Sequence, residues 1–422
     1  MKRFLCLLLD FLMAMSLLAC QQGEKAETPA WEGKFAVGFG RADVTPDFPV
    51  EMKGYGASGV GPRMSENVLS NLYMTCIAIT DATGHTVLFF SFDHKSFSGS
   101  NAKVLREAAS EATGIPIEDI IISCTHTHSA PELGNEEYMP IAKAGTVQAA
   151  LDALADRAVS TFEYASSMIE DMAFVRHYNT DTGIVVGSNF HPAGAGKEIS
   201  HTTEADKELR VIRIVREEKK PIILANWFGH NGMASTGTTK FGLAHRNFIT
   251  ADYVGFCREY VEENYDCNFV MFMGAGGNIG SGSRLKGTET SAIEFGKTLG
   301  QHILDAAETM TATATGNIQR ATTQFDGVEY TFDINAFGVG DVGIITAPIE
   351  MFDTTSMLIR EQSPYDINIV MTIANGHFGY LATDICYDYI DCYEVSGKFK
   401  RGDSDRIAGM YLDLLNQAQK AQ

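Results

Sequence analysis

The chain has 422 residues, with 33 Lys and Arg against 53 Asp and Glu, giving a formal net charge of −20. It is 45% hydrophobic and 20% charged, which excludes the disordered and collagen-like classes. The acidic balance argues for no nucleic-acid partner, because phosphate recognition is built on clustered Lys and Arg and no basic run is present.

Lys2 and Arg3 precede an apolar stretch over residues 4–19, broken only by Asp10. That stretch is shorter than the ~20 residues of a membrane span. A charged start, a short apolar run and a small-residue end read as an export signal over residues 1–19. Its end, Leu17-Leu18-Ala19-Cys20, resembles a bacterial lipobox, which implies cleavage before Cys20 and lipidation of its sulfur. The alternative is an ordinary signal peptide with a chance cysteine. Residues 20–33 then form a tether, and the expectation is an exported bacterial lipoprotein. It would sit on the periplasmic or cell-surface side of the envelope, joined to the membrane by its lipid anchor.

Residues 34–422 read as one catalytic domain, because no Pro/Ser-rich linker divides them. Six segments share one plan, an apolar β-rich run ending at a polar loop. TVLFFSF (86–92) stops at Asp93-His94, and DIIISC (119–124) at Thr125-His126-Thr127-His128. IILANWF (222–228) stops at Gly229-His230, and NFVMFM (268–273) at a glycine-rich loop over 274–283. VGIITA (342–347) stops at Pro348-Ile349-Glu350, and INIVMTIA (367–374) at NGHFGY (375–380). Near-continuous apolar runs predict strands buried on both faces. Helices are predicted over 101–113, 141–164, 248–265, 289–310, 349–362 and 404–420. The region from about 165 to 215 instead alternates, as in MAFVRHYN and ELRVIRIVRE, and predicts antiparallel strands. The fold class is α/β, with a mixed or largely parallel sheet, flanking helices and a ligand site at the carboxyl ends of strands.

Several familiar motifs fail. Gly338 to Gly343 fits GxGxxG, but its glycines precede a strand instead of opening a helix, so it is no dinucleotide loop. There is no GxxxxGK[ST], HExxH or GxSxG. Six cysteines lie beyond Cys20, and an exported protein could pair some of them, Cys386 and Cys392 included.

The sharpest local signal is THTH. In an extended chain His126 and His128 point the same way, into a pocket beyond the strand end. Two such imidazoles suit a metal or proton transfer. Zinc takes His nitrogen and carboxylate oxygen. His230, Glu350 and Tyr380, each just past a strand, are the candidate further ligands. Glu350 could equally be a first-turn helix charge, and Tyr380 could simply pack on Gly379.

The whole pattern resembles the catalytic domain of the neutral/alkaline non-lysosomal ceramidase family. The matching segments run in family order: GFGRADVTPD (38–47), MKGYG (52–56), CTHTHSAPE (124–132), NWFGHNGM (226–233), ITADYVGF (249–256), FMGAGGNIGSG (272–282), TAPIEMF (346–352), and NGHFGYLAT followed by CYE (375–394). The resemblance implies a zinc-dependent amidohydrolase acting on an N-acyl lipid such as ceramide. It implies Zn²⁺ held by His126, His230, Glu350 and Tyr380, with His128 and Tyr393 as catalytic residues. Arg176, Asn278 and Ser281 would face the substrate, although Asn278 also reads as a turn residue. Two departures stand out. The family's glycine-loop serine falls on Gly280, with Ser281 next to it, and His230 follows NWF one residue earlier than usual. These keep open a zinc hydrolase for another amide or ester, or a non-catalytic ligand-binding lipoprotein of the same fold.

Overall fold

The computed structural model describes residues 34–54, 63–170, 172–181, 183–186, 202–229, 247–281, 291–312, 316–390 and 392–421. Residues 1–19, Cys20 and His230 lie outside them. Eight strands build the larger sheet: β1 (Phe35–Asp43), β2 (Tyr73–Thr80), β3 (Thr86–Phe92), β4 (Ile120–Cys124), β5 (Ala158–Met168), β6 (Glu208–Arg216), β7 (Ile222–Trp227) and β8 (Asn268–Met273). Their order is β8-β7-β6-β5-β1-β2-β3-β4, and a short ninth strand, Thr311–Ala312, pairs with β5. Only β3–β4 and β7–β8 are parallel; the other neighbours along that order run antiparallel. The sheet is therefore mixed. A second sheet has the order β9 (Ile318–Asp326), β10 (Thr331–Val339), β11 (Val342–Thr346) and β12 (Ile367–Met371), with β11–β12 parallel.

The strand sequences explain how the two sheets meet. Side chains alternate across a strand, so each apolar run faces two cores. On β3, Leu88 and Phe90 enter a core with helices α1 (Gly99–Thr113) and α2 (Tyr138–Ala155). Val87 and Phe89, the residues between, face β10–β12. On β7 and β8, Ala225, Trp227, Phe269 and Met271 pack under α3 (Asp252–Asn264) and α4 (Ala292–Ala307). Leu224 and Phe272 face inward with Ile344 and Ile369 of the second sheet. The far face of that sheet is covered by α5 (Asp353–Gln362) and α6 (Asp403–Ala421). The result is four layers, helix–sheet–sheet–helix.

Polar stitches cross the central layer. The buried Asn226 amide donates to Phe272 O at 2.8 Å and Val370 O at 2.9 Å and accepts from Val370 N at 3.1 Å. Ile122 N donates to Asn375 Oδ1, and Asn375 N to Ile122 O, both at 2.8 Å. These bonds hold the ends of β4 and β12 side by side.

All six apolar runs and the antiparallel middle form strands, although IILANWF and VGIITA end one residue early and INIVMTIA three, at Met371. DIIISC starts one residue late, because Asp119 closes a 3₁₀ turn. The predicted helix over 141–164 ends at Ala155. Residues 158–168 are β5, whose hydrogen bonding to β1 and β6 overrides the alanine-rich helical pattern. The predicted helices over 248–265 and 349–362 begin late, at Asp252 and Asp353. Phe248–Ile249 and Glu350–Met351 are short strands with partners of their own. Gly340, at φ 58°, turns β10 into β11, as expected of a hairpin glycine.

Candidate active site

His126 lies two residues past the end of β4, in the left-handed region at φ 64°. A non-glycine residue there is strained, and its neighbours hold it. His126 N donates to His94 O at 2.9 Å, Thr127 Oγ1 to Thr250 O at 2.7 Å, and Arg63 Nη2 to His128 O at 2.6 Å. Gly54 packs so close that a Cβ there would lie 2.6 Å from the Cβ of His128, which accounts for the glycine of MKGYG.

The tautomer of His126 follows from geometry. Its Nδ1 lies 2.8 Å from Lys95 O, which can only accept, so Nδ1 carries the proton. Burial pushes the imidazole pKa down to about 4, opposed by the Glu350 charge. The ring is therefore neutral near pH 7, with its Nε2 lone pair directed into the site. That Nε2 lies 3.6 Å from Glu350 Oε2 and 3.4 Å from His128 Nε2. The two rings stand edge-on, with centroids 4.9 Å apart. Phe228, two positions before His230, brings its ring to 6.2 Å from His126.

Glu350 is a strand residue, not a first-turn helix charge. Glu350–Met351 pairs in parallel with Tyr380–Leu381, and Glu350 and Tyr380 are register partners. Burial works against the Glu350 charge, but the imidazoles of His126 and His377 outweigh it and hold the carboxyl below its usual range. His377 Nε2 lies 2.7 Å from Glu350 Oε1, leaving Oε2 toward His126. Sequence reasoning missed His377; its signal was a histidine inside NGHFGY, at the end of β12. Burial and the Glu350 charge push the Tyr380 phenol well above its usual pKa.

The glycine loop closes against this strand. Gly277 N donates to Met351 O at 2.9 Å, and a Cβ at Gly277 would meet Glu350 O at 2.6 Å. Asn278 Nδ2 donates to Asp353 Oδ1 at 2.7 Å and its Oδ1 accepts from Asp353 N at 3.1 Å, so its amide pins α5 to the loop. Ile279–Ser281 pairs with Ala173–Val175, Ser281 opposite Ala173. At Gly280 a Cβ would meet Phe174 at 2.9 Å and Arg176 at 3.3 Å, so this chain has filled the space a serine would need.

Arg176 is buried behind the site instead of open to it. It donates to Gly277 O and, at 2.5 Å, to Glu394 Oε1. Glu394 Oε2 lies 2.6 Å from His177 Nε2. The Arg176 guanidinium lies 5.5 Å from the centre of the Tyr393 ring, which meets Tyr380 edge-on at 5.7 Å. Tyr393 is 49% exposed. Glu394 is a second residue the sequence reading passed over, beside the tyrosine it did single out.

The structure thus brings His126, His128 and Glu350 together, register-pairs Tyr380 with Glu350, and sets Tyr393 against Tyr380 with the Arg176 guanidinium behind it. Among the described residues no three His, Cys, Asp or Glu side chains form a ready metal cage. The donor set does fit zinc chemically: a neutral imidazole with a free lone pair, a carboxylate held anionic, and a phenol that a dication would favour as phenolate.

Comparisons with known proteins follow the same lines. A family model described as neutral/alkaline non-lysosomal ceramidase, N-terminal, matches residues 35–276, more than half of the chain. The neutral ceramidase of Drosophila melanogaster is 24% identical over 241 residues, 56% of this chain and 33% of that protein. Neutral ceramidase 1 of Arabidopsis thaliana is 23% identical over 243 residues, 56% of this chain and 30% of that protein. The matches thus span about a third of these relatives' length. The crystal structure of neutral ceramidase from Pseudomonas aeruginosa superimposes with a TM-score of 0.71 at 14% identity, over 90% of this chain and 74% of that one. At that identity the likeness speaks to the fold.

Proposed function

Because the chain belongs to the neutral/alkaline non-lysosomal ceramidase family, we propose that it is a zinc-dependent amidohydrolase cleaving N-acyl lipids such as ceramide to a sphingoid base and a fatty acid. The observation that carries this reading is the approach of His126 Nε2 to Glu350 Oε2 at 3.6 Å, with Tyr380 register-paired to Glu350. His126, His230, Glu350 and Tyr380 would hold the metal. Bound there, the metal would supply Lewis-acid polarisation of a scissile carbonyl and a water whose pKa falls to about 7.

The chain's own residues do the rest. Lys95 O fixes the His126 tautomer, and His377 orients the Glu350 carboxylate. His128 Nε2, facing the same space, carries a proton to the departing amine. Tyr393 donates its hydroxyl to the substrate from the rim, steadied by Arg176. Asn278 and Ser281, on the glycine loop, would face the substrate. A lipid anchor at Cys20, on the periplasmic or cell-surface side of the envelope, would keep the site beside its substrate.

Gly280 favours a second reading, a zinc hydrolase for a different amide or ester, because the family serine has no space there. Fluorogenic ceramide, assayed with and without chelator, tests the first reading. Turnover lost to chelator and restored by zinc supports it. Intact ceramide alongside cleavage of other N-acyl amides or esters gives the second. No turnover of any of them leaves a ligand-binding lipoprotein.

A further inference from the structure

We propose that Cys386 and Cys392 close a disulfide that fastens the loop behind Tyr393. Cys386 lies on the 3₁₀ turn Asp384–Asp388, just after Tyr380–Leu381, and is 1% exposed. It packs with Phe352 and Ala382 in a small cluster of its own, and Cys392 packs against that cluster alongside Tyr380 and Tyr389. The two side chains thus share one small apolar cluster, close together in the chain. Cys392 Sγ also lies 3.8 Å from Glu394 Oε2, and Cys386 Sγ 3.6 Å from Thr383 Oγ1. The other described cysteines are buried in the large cores: Cys76 and Cys124 under α1 and α2, Cys257 and Cys267 under α3 and α4.

The two members of the pair differ in access. Cys392 is partly exposed and Cys386 is not. Cys392 is thus the entering nucleophile and Cys386 the resolving one. The oxidant is a small disulfide or a protein disulfide. Cys392 thiolate attacks one of its sulfurs, forming a mixed disulfide and releasing one thiolate. Cys386 then loses its proton and attacks the Cys392 sulfur, expelling the second. The pair gives up two protons and two electrons, and the oxidant becomes two thiols. The bond would fix Cys392, and with it the adjacent Tyr393 and Glu394.

The experiment uses the full chain, treated with oxidised glutathione or with dithiothreitol, then alkylated under denaturing conditions and mapped by mass spectrometry. The expected result is a Cys386–Cys392 linked peptide, lighter by two hydrogens, in the oxidised sample only. Oxidation should also raise Tm in the wild type and leave it unmoved in Cys392→Ser. Alkylation of both cysteines after oxidation, or a persistent glutathione adduct on Cys392 with Cys386 still alkylatable, overturns the proposal. Should Cys392→Ser fail to fold, the wild-type map decides alone. None of these readouts depends on ceramide turnover, so they stand or fall apart from the proposed function.

Discussion

The wall carrying His126 and the wall carrying Tyr393 face one site, yet they are held by different means. Around His126 the backbone itself is engaged: a left-handed residue, three short bonds from the THTH segment and Arg63, and a glycine pressed on His128. Around Tyr393 the ring is half exposed and is held from behind, by a buried Arg176–Glu394–His177 cluster. The first arrangement preorganises donors at fixed positions. The second makes the substrate side depend on a few buried charges, which one substitution can unbalance.

The largest effect is expected on the first wall. His126→Ala should remove zinc from the purified protein and lower kcat/KM at least about a thousandfold, the ~4 kcal/mol scale of lost metal catalysis. Metal analysis showing undiminished zinc would sink the ligand set. On the second wall, Glu394→Gln keeps the shape but strands the Arg176 charge. It should cost about 3 kcal/mol in denaturant unfolding, with zinc content unchanged. If stability holds and zinc is lost instead, the two walls are not separable.

A finer contrast lies between His377 and Tyr393. His377→Ala frees one Glu350 oxygen and should weaken zinc affinity about 10–100-fold, read by competition with a chelating dye. Tyr393→Phe keeps the ring contacts and removes one donor. It should lower kcat about tenfold, worth ~1.4 kcal/mol, at unchanged zinc affinity. The smallest effect concerns neither wall. His85 bonds Asp119 at 3.1 Å and Ile318 O at 3.3 Å, both acceptors, so the imidazolium fits best and its pKa is raised above 6.5. The folded value exceeds the unfolded one, so this stabilisation is full below pH ~6.5 and lost as pH rises through the folded pKa. His85→Ala should therefore cost about 0.5 kcal/mol near pH 6, after screening of a third-exposed ring, and less near pH 8. Equal costs at both would remove the charge from the account.

Much of this was legible in the chain. TVLFFSF, NFVMFM and their polar ends mark strands whose loops carry chemistry, and THTH placed two imidazoles together. What the pattern could not give was the second sheet. A run buried on both faces looks the same whether helices or strands cover it, so β3 and β12 read alike although they sit in different layers. The helix predicted over 141–164 ran on because Ala-Leu-Asp-Ala-Leu-Ala is helical by composition, and nothing local announces that β1 and β6 will claim the residues that follow. His377 and Glu394 escaped for a related reason. Each matters through a partner distant in sequence, Glu350 in one case and Arg176 in the other.

The central layer has one more consequence. Val87, Phe89, Leu224 and Phe272 find their cover in Ile344, Ile369 and neighbours encoded after residue 276. Cutting the gene where the family match stops would leave a greasy slab open to water, prone to stick to copies of itself. The recognisable portion of this polypeptide and the portion able to stand alone are therefore different lengths, and expression work should keep the later strands.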